Sequence, residues 1–310
     1  MVLLTRRSLA GTLDRMTLAA VFPPMPTPFV GDEVDRAAIA FNIDRWMRAG
    51  LGGVVALGTN GESGLLAEDE SDLVVGAARD AVPSGKLLIA GAGRESTRAT
   101  VAAARRAAAL GADMVLVRTP SFFRTQMTPA VLLRHFTTVA DSSPVPVLLY
   151  NFPAQTGVNF APDTIATLAA HPNITGLKET GTDAAQLAGY AEAAAGANFS
   201  ILVGSAPGFY AGLCVGAVGG IVAAACVLPE LCVRLHTAAR AGGHAEARAL
   251  QRQITPIGVL VTATYGVPGL KAALDASGYK GGEPRAPLVP LASEGKERIR
   301  LEVARLQQPA

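Results

Sequence analysis

The chain is short of the residues that build cross-links, metal centres and polyanion-binding surfaces. It has only 3 cysteines in 310 residues, and Cys214, Cys226 and Cys232 form an odd set with no C-x-x-C pair. This excludes a disulfide framework and points to reduced thiols in a cytoplasmic protein, packed as small hydrophobes. The 4 histidines, His135, His171, His236 and His244, show neither H-x-x-x-H nor H-E-x-x-H spacing. No metal site is expected, and each histidine is expected on a helix or loop surface. Charged residues make up 17% and the net charge is +2, with the basic residues scattered, so nucleic acid is not an expected partner. Long apolar runs are missing too. The most apolar region, Leu213 to Val233, is broken by glycines and by Pro229-Glu230, which suits a barrel strand followed by a helix and not a membrane span. In residues 1–19, Thr12, Asp14 and Arg15 interrupt any signal-type apolar stretch behind Arg6-Arg7. That segment reads as an unstructured leader, with Met16 an alternative start.

Hydrophobic residues, by contrast, make up 50%, and glycine occurs 33 times, in a length suited to one large α/β domain. Apolar runs rich in β-branched residues recur at the spacing of βα units, roughly 25 to 35 residues. They are Ala20 to Phe22, Gly53 to Leu57, Leu87 to Ala90, Met114 to Val117, Val145 to Tyr150, Ile174 to Lys178, Ile201 to Val203 and Gly220 to Ala223. None alternates cleanly, as expected of strands buried on both faces. Helical patterns lie between them. Leu73, Val74, Ala77, Ala78 and Ala81 share a face before Pro83, Thr128-Pro129 reads as an N-cap with proline at the first helical position, and Gly111 closes an alanine-rich stretch.

Eight such repeats predict a (β/α)8 TIM barrel over residues 20–240. An open doubly wound sheet is the alternative, but the Gly-rich fingerprint expected after its first strand is absent, and Gly91-Ala92-Gly93-Arg94-Glu95-Ser96 imitates only half of it. Residues 241–310 carry helical patterns near His244 to Val261, Gly269 to Ala276 and Ser293 to Leu306, which predict a C-terminal helical extension packed on the barrel.

One charge is out of place. Lys178 ends the apolar run Asn173-Ile174-Thr175-Gly176-Leu177. A lysine at the mouth of a strand, partly desolvated, favours the free amine, which attacks carbonyls to form a Schiff base. The plainer reading is a strand-end lysine paired with Glu179. Two further features would share its end of a barrel, where catalytic groups gather. The second strand ends in Gly58-Thr59-Asn60-Gly61-Glu62, a turn able to present free N–H groups to a carboxylate, and the fifth ends in Tyr150-Asn151, a phenol able to move protons. Each alone reads as a tight turn or a rim residue; their coincidence favours chemistry.

With Tyr150-Asn151-Phe152-Pro153, Thr156-Gly157, Gly176-Leu177-Lys178-Glu179 and Gly204-Ser205, the chain resembles the Schiff-base pyruvate lyases and aldolases typified by dihydrodipicolinate synthase and N-acetylneuraminate lyase, from about Val21 to Leu306. The resemblance implies that Lys178 forms an imine with a pyruvate-type 2-oxo acid and that Tyr150 shuttles protons. It also implies that Thr59, Asn60 and Gly61 bind the substrate carboxylate and that Gly204 and Ser205 line the site. No cofactor is implied, since the lysine is itself the electron sink, and the implied assembly is a homotetramer.

Two positions depart from dihydrodipicolinate synthase. Gln155 stands where that enzyme has an arginine gripping the aldehyde substrate's carboxylate, and Phe122 stands where it has a relay tyrosine. An amide cannot replace a bidentate guanidinium. The stretches Arg118 to Tyr150, Pro153 to Gly157, Gly266 to Lys271 and Arg285 to Leu288 are most similar to the 4-hydroxy-2-oxoglutarate aldolase branch, implying cleavage to pyruvate and glyoxylate. Phe122 departs from that branch as well. Dihydrodipicolinate synthase, a 2-keto-3-deoxy sugar-acid aldolase or dehydratase, and a non-catalytic 2-oxo-acid sensor stay open as alternatives.

Overall fold

Strands with no polar face need cover on both sides, and in the computed structural model, which describes residues 18–307, they find it by curling into a barrel. The strands are β1 (Val21–Phe22), β2 (Phe29–Val30), β3 (Glu33–Val34), β4 (Gly53–Ala56), β5 (Leu87–Gly91), β6 (Met114–Arg118), β7 (Val147–Asn151), β8 (Ile174–Glu179), β9 (Ser200–Val203) and β10 (Gly219–Ile221). β1 and β4 to β10 form one 8-stranded parallel sheet in chain order, with β10 returning to pair with β1. The expected strands are all present, their ends shifted by one or two residues. β2 and β3 form a small hairpin turning at Gly31, which periodicity could not reveal in elements of 2 residues each. Along the seam between β1 and β4, Pro23, Pro24 and Pro26 have no N–H to give a ladder. The seam is instead closed by Gly52 N–H to Val21 O, Val55 N–H to Pro23 O and Met25 N–H to Val55 O, each 3.0 Å.

The two-residue period of the strands creates two cores. Val55, Ile89, Leu116, Leu148 and Leu202 fill the barrel, and Leu18, ahead of the first strand, already packs with them. Val54, Leu88, Val115, Leu149 and Leu177 face outward against the helices. Those helices start where the chain supplies caps: Asp35, Ser96, Thr128 and Asp183 each accept an N–H from the first turn of the helix that follows. Each such cap is worth about 1 kcal/mol. Pro129 takes the first helical position, and Gly111, at φ 90°, follows the helix Thr97–Ala109. Trp46, fully buried, donates its indole N–H to Cys226 O at 3.0 Å, tying the first barrel helix to the short helical turn Ala224–Val227 that follows the eighth barrel strand.

Beyond the barrel run His244–Val259, a π-helical turn Leu260–Thr264, then Gly266–Ala276 and Ser293–Gln307. Ile254, Leu270, Leu274 and Ile299 join the outer core, so the extension shares the barrel's hydrophobic packing. No helix among the described residues is long and apolar enough to cross a membrane. The leader expected over residues 1–19 lies, as far as residue 17, outside the described residues.

Two expectations need correction. Cys226 and Cys232 are buried, but Cys214 is exposed, at the end of the short helix Phe209–Cys214. His135 is not a surface residue: it is 5% exposed, on the inner face of Pro129–Ser142, its Nδ1 2.9 Å from Thr97 Oγ1. Burial pushes its pKa down to about 4, against a smaller opposing pull from Glu95.

Candidate active site

Strand register brings the site together. β7 pairs with β8 so that Tyr150 stands opposite Lys178, and β6 pairs with β7 so that Arg118 stands opposite Tyr150. Leu116 and Leu148, two residues earlier on their strands, point into the barrel, so Arg118 and Tyr150 point the same way at its carboxyl end. Lys178, level with inward-facing Leu202 on β9, joins them. Glu179 takes the opposite face, which removes the plain ion-pair reading of Lys178. Its carboxylate accepts from Asn151 Nδ2 at 2.6 Å and from Gly181 N–H at 2.5 Å, and burial raises its pKa.

A cavity of about 1190 Å³ opens over this layer. Lys178 is 4% exposed, and its ammonium lies 4.1 Å from the centre of the Tyr150 ring. The Tyr150 hydroxyl is 3.1 Å from Thr59 Oγ1. Gly204 closes on the lysine from β9: a Cβ there would come within 3.0 Å of Lys178 Cε and 2.4 Å of Thr180 Oγ1, so only glycine fits.

The turn carrying Thr59 is held under strain. Leu57 and Glu62 both adopt left-handed backbone, at φ 55° and 56°, which costs a non-glycine residue about 1–2 kcal/mol. Gly61 N–H donates to Gly58 O and Glu62 N–H to Thr59 O, each at 3.1 Å, while Thr27 Oγ1 donates to Gly61 O at 2.7 Å. The N–H groups of Thr59 and Asn60 donate to no acceptor among the described residues. The Glu62 carboxylate, fully buried, pairs with Lys271 Nζ at 2.6 Å and accepts Arg285 N–H at 2.8 Å. Burial lowers the Lys271 pKa and Glu62 opposes that shift, while the ammonium also meets Glu283 O and the Phe29 ring. The C-terminal extension thus anchors the turn from below.

Over residues 17–306 the sequence matches the Dihydrodipicolinate synthetase family. The chain belongs to this family. It is 34% identical over 276 residues to a 4-hydroxy-tetrahydrodipicolinate synthase from an Exiguobacterium strain, covering 89% of this chain and 93% of that one. It is 36% identical over 287 residues to a probable mitochondrial 4-hydroxy-2-oxoglutarate aldolase from Emericella nidulans, covering 91% and 92%. Among solved structures it is similar to a prophage protein of the dihydrodipicolinic acid synthase family from E. coli K12 in complex with pyruvate, with TM-score 0.87, 30% identity, and 93% and 98% of the two chains covered. Members of the dihydrodipicolinate synthetase family are lyases, and the barrel is theirs.

Within this family member, Thr59, Asn60, Tyr150, Gln155, Lys178, Gly204 and Ser205 all line this same cavity. Gly61 does not: it is buried behind the turn, where a Cβ would press on Leu57 N at 3.1 Å and Met25 O at 3.2 Å, so it shapes the site without facing it. Phe122 also falls outside. Glu95 accepts the N–H groups of Ser121 and Phe122, both at 2.9 Å, which pins that loop with the phenylalanine 79% exposed, edge-on to Phe123.

Three parts of the site escaped the sequence reading. They are Arg118, the Glu62–Lys271 pair, and a wall from Val259 to Pro268 contributed by the extension. Arg118 carried the same signal as Lys178, a cation closing an apolar strand. Among the described residues no cluster of His, Cys, Asp and Glu is arranged to hold a metal.

Proposed function

We propose that the protein is a lysine-imine lyase that cleaves a 4-hydroxy-2-oxo acid, with 4-hydroxy-2-oxoglutarate, giving pyruvate and glyoxylate, as the best-fitting substrate. The observation that carries this reading is Lys178 itself: buried, turned away from Glu179, and stacked against a phenol at 4.1 Å. A buried ammonium with no paired carboxylate is costly for a protein to keep unless it is used.

The Lys178 amine adds to the C2 carbonyl and water leaves, giving the protonated imine. Tyr150 takes the proton of the 4-hydroxyl, the C3–C4 bond breaks, and its electron pair moves into the imine as an enamine while the aldehyde departs. Protonation at C3 and addition of water release pyruvate and restore the lysine. The free N–H groups of Thr59 and Asn60 suit the C1 carboxylate throughout.

Incubation with pyruvate and borohydride is expected to add the mass of reduced pyruvate at Lys178, and Lys178→Arg to abolish the label. Labelling at another residue, or none, overturns the reading. Synthesis of 4-hydroxy-tetrahydrodipicolinate is the second reading, favoured by the name borne by relatives such as the Exiguobacterium enzyme and opposed by Gln155. We also propose the homotetramer that the resemblance implies. Phe122 and Phe123, 79% and 66% exposed, are surface a partner subunit would cover, and a monomer in sedimentation velocity would exclude it.

A further inference from the structure

Two of the residues lining the cavity are cationic, Lys178 and Arg118. The lysine has a role; the arginine has none so far. Arg118 ends β6, two strands from Lys178 with Tyr150 between them, which sets the two cations about 10 Å apart at the backbone.

Its guanidinium is tethered on one side only. Nη1 donates to Glu95 Oε1 at 2.8 Å, to Thr119 O at 3.2 Å and to Ser121 Oγ at 3.5 Å. Nε and Nη2 have no partner among the described residues. The tether therefore fixes the plane of the group and leaves open its Nε–Nη2 edge, one of the two edges able to grip a carboxylate with parallel hydrogen bonds. Glycine at 93 makes room for this: a Cβ there would lie 2.7 Å from Arg118 Cγ. Gln155, by contrast, is exposed, on the short helix Pro153–Thr156 beyond β7. A carboxylate directly on C4 of the substrate lies only three bonds from C2, on the side of the cavity that the strand ends carrying Lys178 and Arg118 line. One carried two carbons further would extend toward Gln155.

We propose that Arg118 takes the distal carboxylate of a five-carbon 2-oxo diacid while Lys178 engages its C2 carbonyl. The assignment rests on the lysine-imine reading for the position of C2. Arg118 thereby supplies, from a different strand, the positive charge that Gln155 lacks.

The test compares binding of 2-oxoglutarate with that of 2-oxopentanoate, the same chain with a methyl group in place of the distal carboxylate, by calorimetry on wild-type protein, Arg118→Met and Arg118→Lys. Wild type is expected to prefer the diacid by about tenfold or more, the value of a charge-assisted pair. Arg118→Met is expected to bring the two acids within about threefold by weakening the diacid alone, and Arg118→Lys, with charge but no fork, to fall between. A wild type indifferent to the distal carboxylate, or an Arg118→Met protein that keeps the preference, overturns the assignment. If Arg118→Met loses both acids through misfolding, Arg118→Lys decides: an undiminished preference there overturns it and a reduced one supports it. Borohydride labelling of Lys178 by pyruvate is read separately, so failure of the imine chemistry shows as lost labelling and failure of the Arg118 assignment as lost diacid preference.

Discussion

The ammonium of Lys178 lies against the ring of Tyr150, 4.1 Å from its centre, because the β7–β8 register sets the two residues on one rung. The same phenol reaches Thr59 Oγ1 at 3.1 Å, so one side chain touches both the buried lysine and the turn that carries Thr59.

Tyr150→Phe keeps the ring beside the ammonium and removes the hydroxyl. Pyruvate trapping at Lys178 is therefore expected to persist while turnover falls roughly a hundredfold, in the range of general acid–base groups. Steady-state kinetics beside the labelling assay check this, and near-normal kcat would refute the proton-shuttle role.

On the proposed reading, Gln155 sets the second-substrate preference. Condensation of pyruvate with aspartate semialdehyde is expected to be slow and cleavage of 4-hydroxy-2-oxo acids readily measured, because an amide forfeits a charge-assisted bond of about 1.5 to 3 kcal/mol. Gln155→Arg should raise the semialdehyde reaction by roughly one to two powers of ten. Efficient dihydrodipicolinate-type synthesis by wild type, with hydroxy-oxo acids ignored, would show the branch assignment to be wrong.

The Glu62–Lys271 pair is wholly buried, at 0% and 1% side-chain exposure. Lys271→Met strands a carboxylate in the interior and is expected to cost about 3 to 5 kcal/mol. The double variant Lys271→Met with Glu62→Gln, which removes both charges, should recover part of the loss. Urea unfolding of the three proteins reads it; a single variant as stable as wild type would mean that the pair does not hold the turn.

His135 makes stability fall in mild acid. Its folded pKa is pushed down to about 4 from an ordinary 6.5, so on lowering the pH the unfolded chain takes up a proton that the folded one refuses. The contribution is intact above pH 6.5 and is lost progressively to about pH 4, at most about 3 kcal/mol. Glu95, which burial alone would raise but the Phe122 and Ser121 N–H groups and Arg118 together hold down to about 2, adds a loss in the same direction below its ordinary 4.5. An NMR titration placing the His135 midpoint near 6.5 would contradict this account.

The barrel and the lysine at its mouth were legible along the chain because both are local signals. Strand runs without alternation mean cover on both faces, and a cation ending such a run stands out wherever it falls. Thr128-Pro129 and Gly111 marked helix ends by the same kind of nearest-neighbour chemistry. Tertiary structure decided which way each strand end points, since a run apolar on both faces carries no period to orient it: Lys178 inward, Glu179 outward, Arg118 inward. It also decided that Phe122 turns to solvent, through the grip of Glu95 on that loop. And it decided what buries Glu62, because the partner that neutralises it, Lys271, comes from the far end of the chain. Pairing of buried charges depends on which residues meet across the fold, and separation along the chain does not encode that.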